Sequence, residues 1–363
     1  MTYFNNCEYG SYKPITDLHS SGIDEIKSRA VYKDTYSYFD VDFNIRFDSP
    51  EVQQLYRNRY KHFRINPSDR SDNYTDTYYV ISKNPFYDKP LLLVDSKSER
   101  NLVEIFSKGS NRKRFKMNRV DNNGHTYYAV TDSNLNNKTA MMISNNTSII
   151  LDEELWGSYA ELIIFNSILS QIPNHFILHA GVVSWKDRGI ILCGDMNSGK
   201  STLTLSLARN GFKFLSDEIA FIDLESFEVA PFPRAMGFRE DTISKIPELK
   251  FLKGQKNAMS LSGDMKWTFD IEEVCPNSLG NKFKIGYLIF LDGFEEHPKL
   301  RHIPKSEALI ESLRYTHTSG DDPIKHLLKV SDLVKEVECL RFVLGDRKEN
   351  VKVLRNLVEN HLC

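Results

Sequence analysis

Cysteine is scarce in this 363-residue chain: there are five, Cys7, Cys193, Cys275, Cys339 and Cys363, an odd number with no C-x-x-C spacing. That argues against a disulfide framework or a cysteine-based zinc site and suits reduced thiols in a cytoplasm. Excess charge is also missing, since 47 Lys and Arg face 49 Asp and Glu for a net charge of −2. No overall basic field points to nucleic acid. No apolar run approaches the roughly 18 residues of a membrane-spanning helix, and Met1 to Asn6 lacks the charged and apolar regions of an export signal. A soluble, cytoplasmic protein without a membrane or nucleic-acid partner is therefore expected. There is no internal repeat and no low-complexity tract. With 40% hydrophobic and 26% charged residues, the chain can build a full core and is long enough for two domains.

The most informative segment is Gly194-Asp195-Met196-Asn197-Ser198-Gly199-Lys200-Ser201-Thr202, which fits G-x-x-x-x-G-K-[ST] and follows the apolar stretch Gly189 to Cys193. The glycines let backbone N–H groups curl around a polyphosphate, Lys200 can reach the outer phosphates, and the Ser201 hydroxyl can join a Mg²⁺ shell. Beyond it, Lys200 to Asn210 reads as a helix with Leu203 and Leu207 one turn apart and an Asn210-Gly211 stop. Such a helix directs its N-terminal dipole at the anion site. Before it, His175 to Ser184 and Ile190 to Cys193 read as strands joined by a turn at Lys186 to Gly189, so a β-hairpin feeds the loop. Another pair of short strands, Phe212 to Leu215 and Ile219 to Ile222, brackets Ser216-Asp217-Glu218. Carboxylates at a strand end about one helix after a phosphate loop stand where metal and attacking hydroxyl need charge.

The chain changes character near residue 150, because 15 of its 17 tyrosines lie at or before Tyr159 and the phosphate loop lies after it. Residues 1–150 carry short β-like segments such as Tyr78 to Ser82, Pro90 to Val94 and Thr126 to Val130, separated by turn-rich stretches. A smaller, mostly β N-terminal domain is expected there, with a substrate-docking role open to it. Glu153 to Gln171 has helical apolar spacing and forms a connecting helix over 151–174, leaving 175–363 as the phosphate-loop domain. Ser306 to Tyr315 and Glu349 to His361 read as further helices covering the sheet.

Leu178-His179-Ala180-Gly181-Val182, the loop at 194–202 and Gly211-Phe212-Lys213-Phe214-Leu215-Ser216-Asp217-Glu218 together resemble the core of the HPr kinase/phosphorylase family. Phe232 to Arg239 and Leu340 to Asp346 resemble segments of its shorter kinase-like relatives, including serine kinases of lasso-peptide clusters. The resemblance covers roughly 175–361. It implies an α/β fold of the phosphoenolpyruvate carboxykinase type and ATP- and Mg²⁺-dependent transfer to a serine hydroxyl. Three departures stand out: Lys200-Ser201-Thr202 for the family's Lys-Ser-Glu, Asp217-Glu218 for its Asp-Asp, and no Gly-rich C-terminal signature. A kinase acting on another peptide or protein is the carry-over, with oligomers common in the family.

In that reading Asp217 is the candidate base, Glu218 joins Ser201 around Mg²⁺, His179 orients Asp217 or meets the transferred group, and Arg234 and Arg239 neutralise phosphate. Each has a plainer alternative. His179 can be a satisfied core histidine, Asp217 and Glu218 a cap or surface pair, and the two arginines surface residues around a Pro-rich turn. Asp292, closing the apolar run Tyr287 to Leu291, competes for the metal as a Walker B-type carboxylate. Lys108 to Arg119 reads as a solvated basic hairpin or a grip for an acidic peptide or nucleic acid, and residues 241–281 as a lid or substrate loop near the phosphates. Besides the peptide or protein kinase, a small-molecule kinase or carboxykinase-like enzyme and a nucleotide-binding regulator or ATPase stay open.

Overall fold

The computed structural model describes residues 20–66, 76–82, 91–96, 115–122, 125–132, 138–143, 148–150, 156–169, 171–172, 175–252, 266–317 and 323–360. Two large sheets with helices on their faces make it a mixed α/β protein. The first sheet holds β1 (Tyr32–Tyr38), β2 (Val41–Phe47), β3 (Arg64–Ile65), β4 (Asp76–Ile81), β5 (Leu91–Ser96), β6 (Phe115–Asn122), β7 (His125–Asp132), β8 (Lys138–Ile143) and β9 (Ser148–Ile150), in the order β3-β1-β2-β4-β5-β9-β8-β7-β6. Two helices belong to its sequence span, α1 (Ser20–Arg29) and α2 (Pro50–Arg59). The second helix starts as local chemistry dictates: the Ser49 side chain accepts from Val52 N–H, and Pro50 occupies the first turn, where no amide proton is needed. The β1–β2 turn is Phe39-Asp40, both at positive φ (52° and 66°), which matches the right-handed twist of a tight hairpin. Of the basic stretch, Lys108 to Arg114 lie outside the described residues, and Phe115 to Arg119 fall on β6, paired antiparallel with β7.

Helix α3 (Trp156–Leu169) leads to the second sheet. Its strands are β10 (His175–Trp185), β11 (Arg188–Cys193), β12 (Lys213–Ser216), β13 (Ile219–Asp223), β14 (Glu228–Ala230), β17 (Phe283–Phe294), β18 (Lys299–His302), β19 (Thr316–His317) and β20 (Glu338–Leu344), while β15 (Met236–Arg239) and β16 (Lys266–Phe269) form a separate ribbon. The long β10 pairs with β13 through its first half and β11 through its second. Its turn to β11 is the two residues Lys186-Asp187, tighter than the four-residue turn read from sequence, because Trp185 and Arg188 already pair. Strands β11, β17 and β20 run parallel. The centre of β17, Tyr287 to Phe290, is buried throughout, as expected for a strand covered on both faces.

Helix α4 (Lys200–Arg209) packs on this layer, with Leu203 and Leu207 against β11, β17 and β20 residues and Leu205 and Ala208 against the ribbon. Gly181 permits the approach: a Cβ there would stand 2.4 Å from Thr204 Oγ1 of the helix. The remaining helices are α5 (Glu240–Lys245), α6 (Ile271–Val274), α7 (Lys305–Tyr315), α8 (Pro323–Glu336) and α9 (Arg347–Asn360). The described parts of the expected lid are α5, a 3₁₀ turn at Pro247–Leu252, β16 and α6, whose Ile243, Ile246, Leu249, Phe269 and Ile271 are buried together. Asp241, Thr242, Lys245 and Ile246 line the cavity described below, and residues 253–265 lie outside the described residues.

The two sheets meet through aromatic residues. Phe232, just before β15, enters the core of the first sheet beside Tyr38, Phe63 and α3's Phe165, while Phe39 at the β1–β2 turn stacks on Phe221 of β13 with ring centroids 3.5 Å apart. Lys61 and His62, after α2, pair with Asp270, which also caps α6. Burial raises the cost of ionising Asp270, but His62 and Lys61 outweigh it and hold its carboxyl well below the usual range.

Candidate active site

The loop at 194–202 lies between β11 and α4, built as its glycines require. Gly199 has φ 93°, a left-handed conformation, and Gly194 leaves no room for a side chain, since a Cβ would sit 2.5 Å from Ser198 Oγ. Lys200 is buried and its ammonium folds back to donate to the carbonyls of Gly194 (2.6 Å) and Asp195 (2.9 Å). Burial pushes its pKa down, with Asp195 and Asp217 among the charges that oppose the shift. A Gly199→Ala variant would force a Cβ to within 2.8 Å of Leu344 Cδ1 at a strained φ. The left-handed strain should destabilise the protein by about 1–2 kcal/mol; a urea melt returning the wild-type midpoint would show that the loop tolerates the change.

A cavity of about 710 Å³ opens in front of this loop. Residues 196–202 line it together with His179, Asp217, Glu218, Arg234 and Arg239. Gly194 and Asp195 do not; the Asp195 carboxylate turns to Arg314 (3.3 Å) and Tyr315 Oη (3.2 Å) of α7, whose phenol is pushed up to about 12 by burial and by Asp195. His179 is solvent-exposed on β10, opposite Ile219 in register, so the core-histidine alternative does not hold. Asp217 is buried at the cavity wall. Between β12 and β13, the Ser216 hydroxyl accepts from the backbone N–H groups of Glu218 (3.3 Å) and Ile219 (3.0 Å), a local turn that sets the two carboxylates at the strand end.

Arg234 is not a free surface residue: it pairs with Glu218 and with Glu161 of α3 (3.2 Å). Glu161 also takes Arg59 of α2 and the Tyr60 hydroxyl, all on one carboxylate oxygen. Burial pushes Glu161 up, yet Arg59 and Arg234 win and keep it below the ordinary glutamate value. Arg59, with Lys245 of α5 and Arg347 of α9, completes a lining of six cationic side chains against three carboxylates, Asp217, Glu218 and Asp241. In a chain of net charge −2 this concentrates positive potential where a polyanion would sit. Sequence reading missed Arg59, Glu161, Lys245 and Arg347. The one signal was Glu161 itself, a charge beside the apolar run Leu162 to Phe165.

Asp292 is placed elsewhere. Its carboxylate pairs with Arg341 at 3.0 Å, and it does not line the cavity. Asp292→Asn is expected to change stability by less than about 1 kcal/mol, because Asp292 is half exposed and Arg341 retains Glu307 and Glu311; a larger loss in a urea melt would show that the pair is not solvent-screened.

Among the described residues no helix is long and apolar enough to cross a membrane. No protein-family model matches the sequence, and no curated protein does. Among solved structures the chain is similar to the Hpr(Ser) kinase/phosphatase from Coxiella burnetii, at 12% identity and a TM-score of 0.27, over 51% of this chain and 95% of that one. A score that low transfers no residue role from one protein to the other.

Proposed function

We propose that this protein is a phosphate-loop kinase that moves the γ-phosphoryl group of ATP to a hydroxyl, a serine of a peptide or protein acceptor. The observation that carries it is the convergence, in one cationic cavity, of the phosphate loop, the Asp217–Glu218 pair and His179. A volume near 710 Å³ is in the range of nucleotide-sized ligand sites. The Ser201 hydroxyl and the Glu218 carboxylate are hard oxygen donors of the kind Mg²⁺ takes, and Glu218 would exchange its Arg234 partner for the ion. When bound, Mg²⁺ supplies charge neutralisation on the phosphates.

The residues then divide the work. Backbone N–H groups of the loop and the Lys200 ammonium, freed from its two carbonyls, hold the phosphates. Asp217 accepts the proton of the acceptor hydroxyl as its oxygen bonds to the γ-phosphorus and the bond to the β,γ-bridging oxygen breaks, leaving ADP. His179 stands next to the carboxylate pair through the β10–β13 pairing, where Ala180 N–H donates to the Glu218 carbonyl (3.0 Å), and orients Asp217. Arg239 offsets phosphate charge.

Intact-mass analysis of serine-containing peptides incubated with the protein, ATP and Mg²⁺ tests this. One added phosphate, about 80 Da, is expected. ATP consumption with every peptide unmodified moves the acceptor to a small molecule or water, and absence of nucleotide binding sinks the kinase reading altogether.

A further inference from the structure

The arginine pair at the cavity wall has more donors than its partners use. Arg59 is 4% exposed and its Nε goes to Glu161, while its Nη2 is buried with no hydrogen-bond partner. Arg234 spends Nη1 on Glu161 and Nη2 on Glu218, while its Nε is likewise buried and unpartnered. Both arginines line the cavity. Buried guanidinium donors left unmade are costly, and their planar fork matches carboxylate and phosphate oxygens. Neither belongs to the phosphate loop. Arg59 arrives from the helix α2 that follows β2, tethered by the hydrogen bond from Ala235 N–H to its carbonyl (3.0 Å), and Arg234 holds the carboxylate adjacent in sequence to Asp217.

Resting on the kinase reading above, we propose that Arg59 and Arg234 form a subsite for an anionic group, a carboxylate or phosphate, carried by the acceptor beside its reactive hydroxyl. The nucleotide's phosphates have their own holders in the loop amides and Lys200. Arg234 pairs with Glu218, next in sequence to the proposed base, and Arg59 shares Glu161 with Arg234, on the side where the acceptor must come. The span preceding α3 thus contributes a side chain to substrate selection in addition to packing against the second sheet, and acceptors without an anion near the hydroxyl are poor substrates.

The test is calorimetric titration of the full chain, saturated with a non-hydrolysable ATP analogue and Mg²⁺ so that the γ-position is filled, with inorganic phosphate and separately with malonate. Wild type should bind at least one of them, and the two titrations separate a phosphate-type from a carboxylate-type subsite. The charge-balanced double variant Arg59→Gln/Glu161→Gln should bind the same anion at least tenfold more weakly, with the analogue's affinity unchanged and melting temperature within a few degrees of wild type. Arg59→Lys, which keeps the charge but loses the fork, should show a smaller loss. No anion binding to the loaded wild type, or equal binding to the folded double variant, overturns the subsite. A loss of analogue affinity instead assigns the pair to the nucleotide and overturns it too. Should the analogue not bind wild type at all, the kinase reading fails on its own, and phosphate titration of Lys200→Ala against Lys200→Ala/Arg59→Gln/Glu161→Gln still decides whether the arginines hold an anion.

Discussion

Asp217→Asn should lower the rate of phosphoryl transfer by about 10²–10⁴-fold, the usual contribution of a positioned general base, while ATP binds as well as to wild type or better. The amide has the size of the carboxylate, and the hydrogen bonds from the Glu218 and Ile219 N–H groups to the Ser216 hydroxyl still form the turn. It cannot take a proton from the acceptor hydroxyl. Removing one negative charge from the cavity proposed to take the polyphosphate cannot weaken that binding electrostatically. Single-turnover kinetics measured beside equilibrium titration separates the two terms. Transfer at the wild-type rate would remove Asp217 as base, and a parallel loss of ATP affinity would make its role structural.

Glu161→Ala should destabilise the protein by roughly 3–5 kcal/mol, the range for breaking a buried ion pair by deleting one partner. Arg59 and Arg234 would stay in place, 4% and 13% exposed, with the shared carboxylate gone. The double variant Arg59→Gln/Glu161→Gln should recover most of that loss, since no uncompensated charge remains. Urea melts of the three proteins decide it: a Glu161→Ala midpoint equal to wild type would show that the network is solvent-screened.

The same contact sets a pH dependence. Glu161 and Asp270 both have depressed folded-state pKa values, so each stabilises fully above its unfolded value, about 4.3 and 3.9, and the contribution is lost as pH falls through the lower folded values. Glu161 joins α3 to Arg59 and Arg234, and Asp270 joins α6 to Lys61 and His62, so the contacts between the sheets should weaken below about pH 4. Acid melts of Glu161→Gln should lack part of that slope.

What the amino-acid order determined by itself is local. The conformation of the loop at 194–202, the hairpin that feeds it, helix α4 and the turn at Ser216 to Glu218 follow from glycine conformational freedom, apolar periodicity and side-chain caps acting over a few residues, and all were readable. Boundaries of α7 and α9 were readable to within two residues at their starts for the same reason. The composition of the cavity wall was only half readable. Arg59 and Glu161 lie 102 residues apart in the chain, and a charged residue on a helix looks the same whether solvent or a buried partner awaits it. Asp292 had the sequence form of a metal carboxylate, and packing beside Arg341 placed it outside the cavity. Helix α2 and helix α8 were not foreseen; their stability comes from an apolar face docked on strands, which tertiary contacts supply and helix propensity does not. Only the folded protein decides which of many charged side chains become neighbours, because desolvated ion pairing depends on what the sheets bury between them.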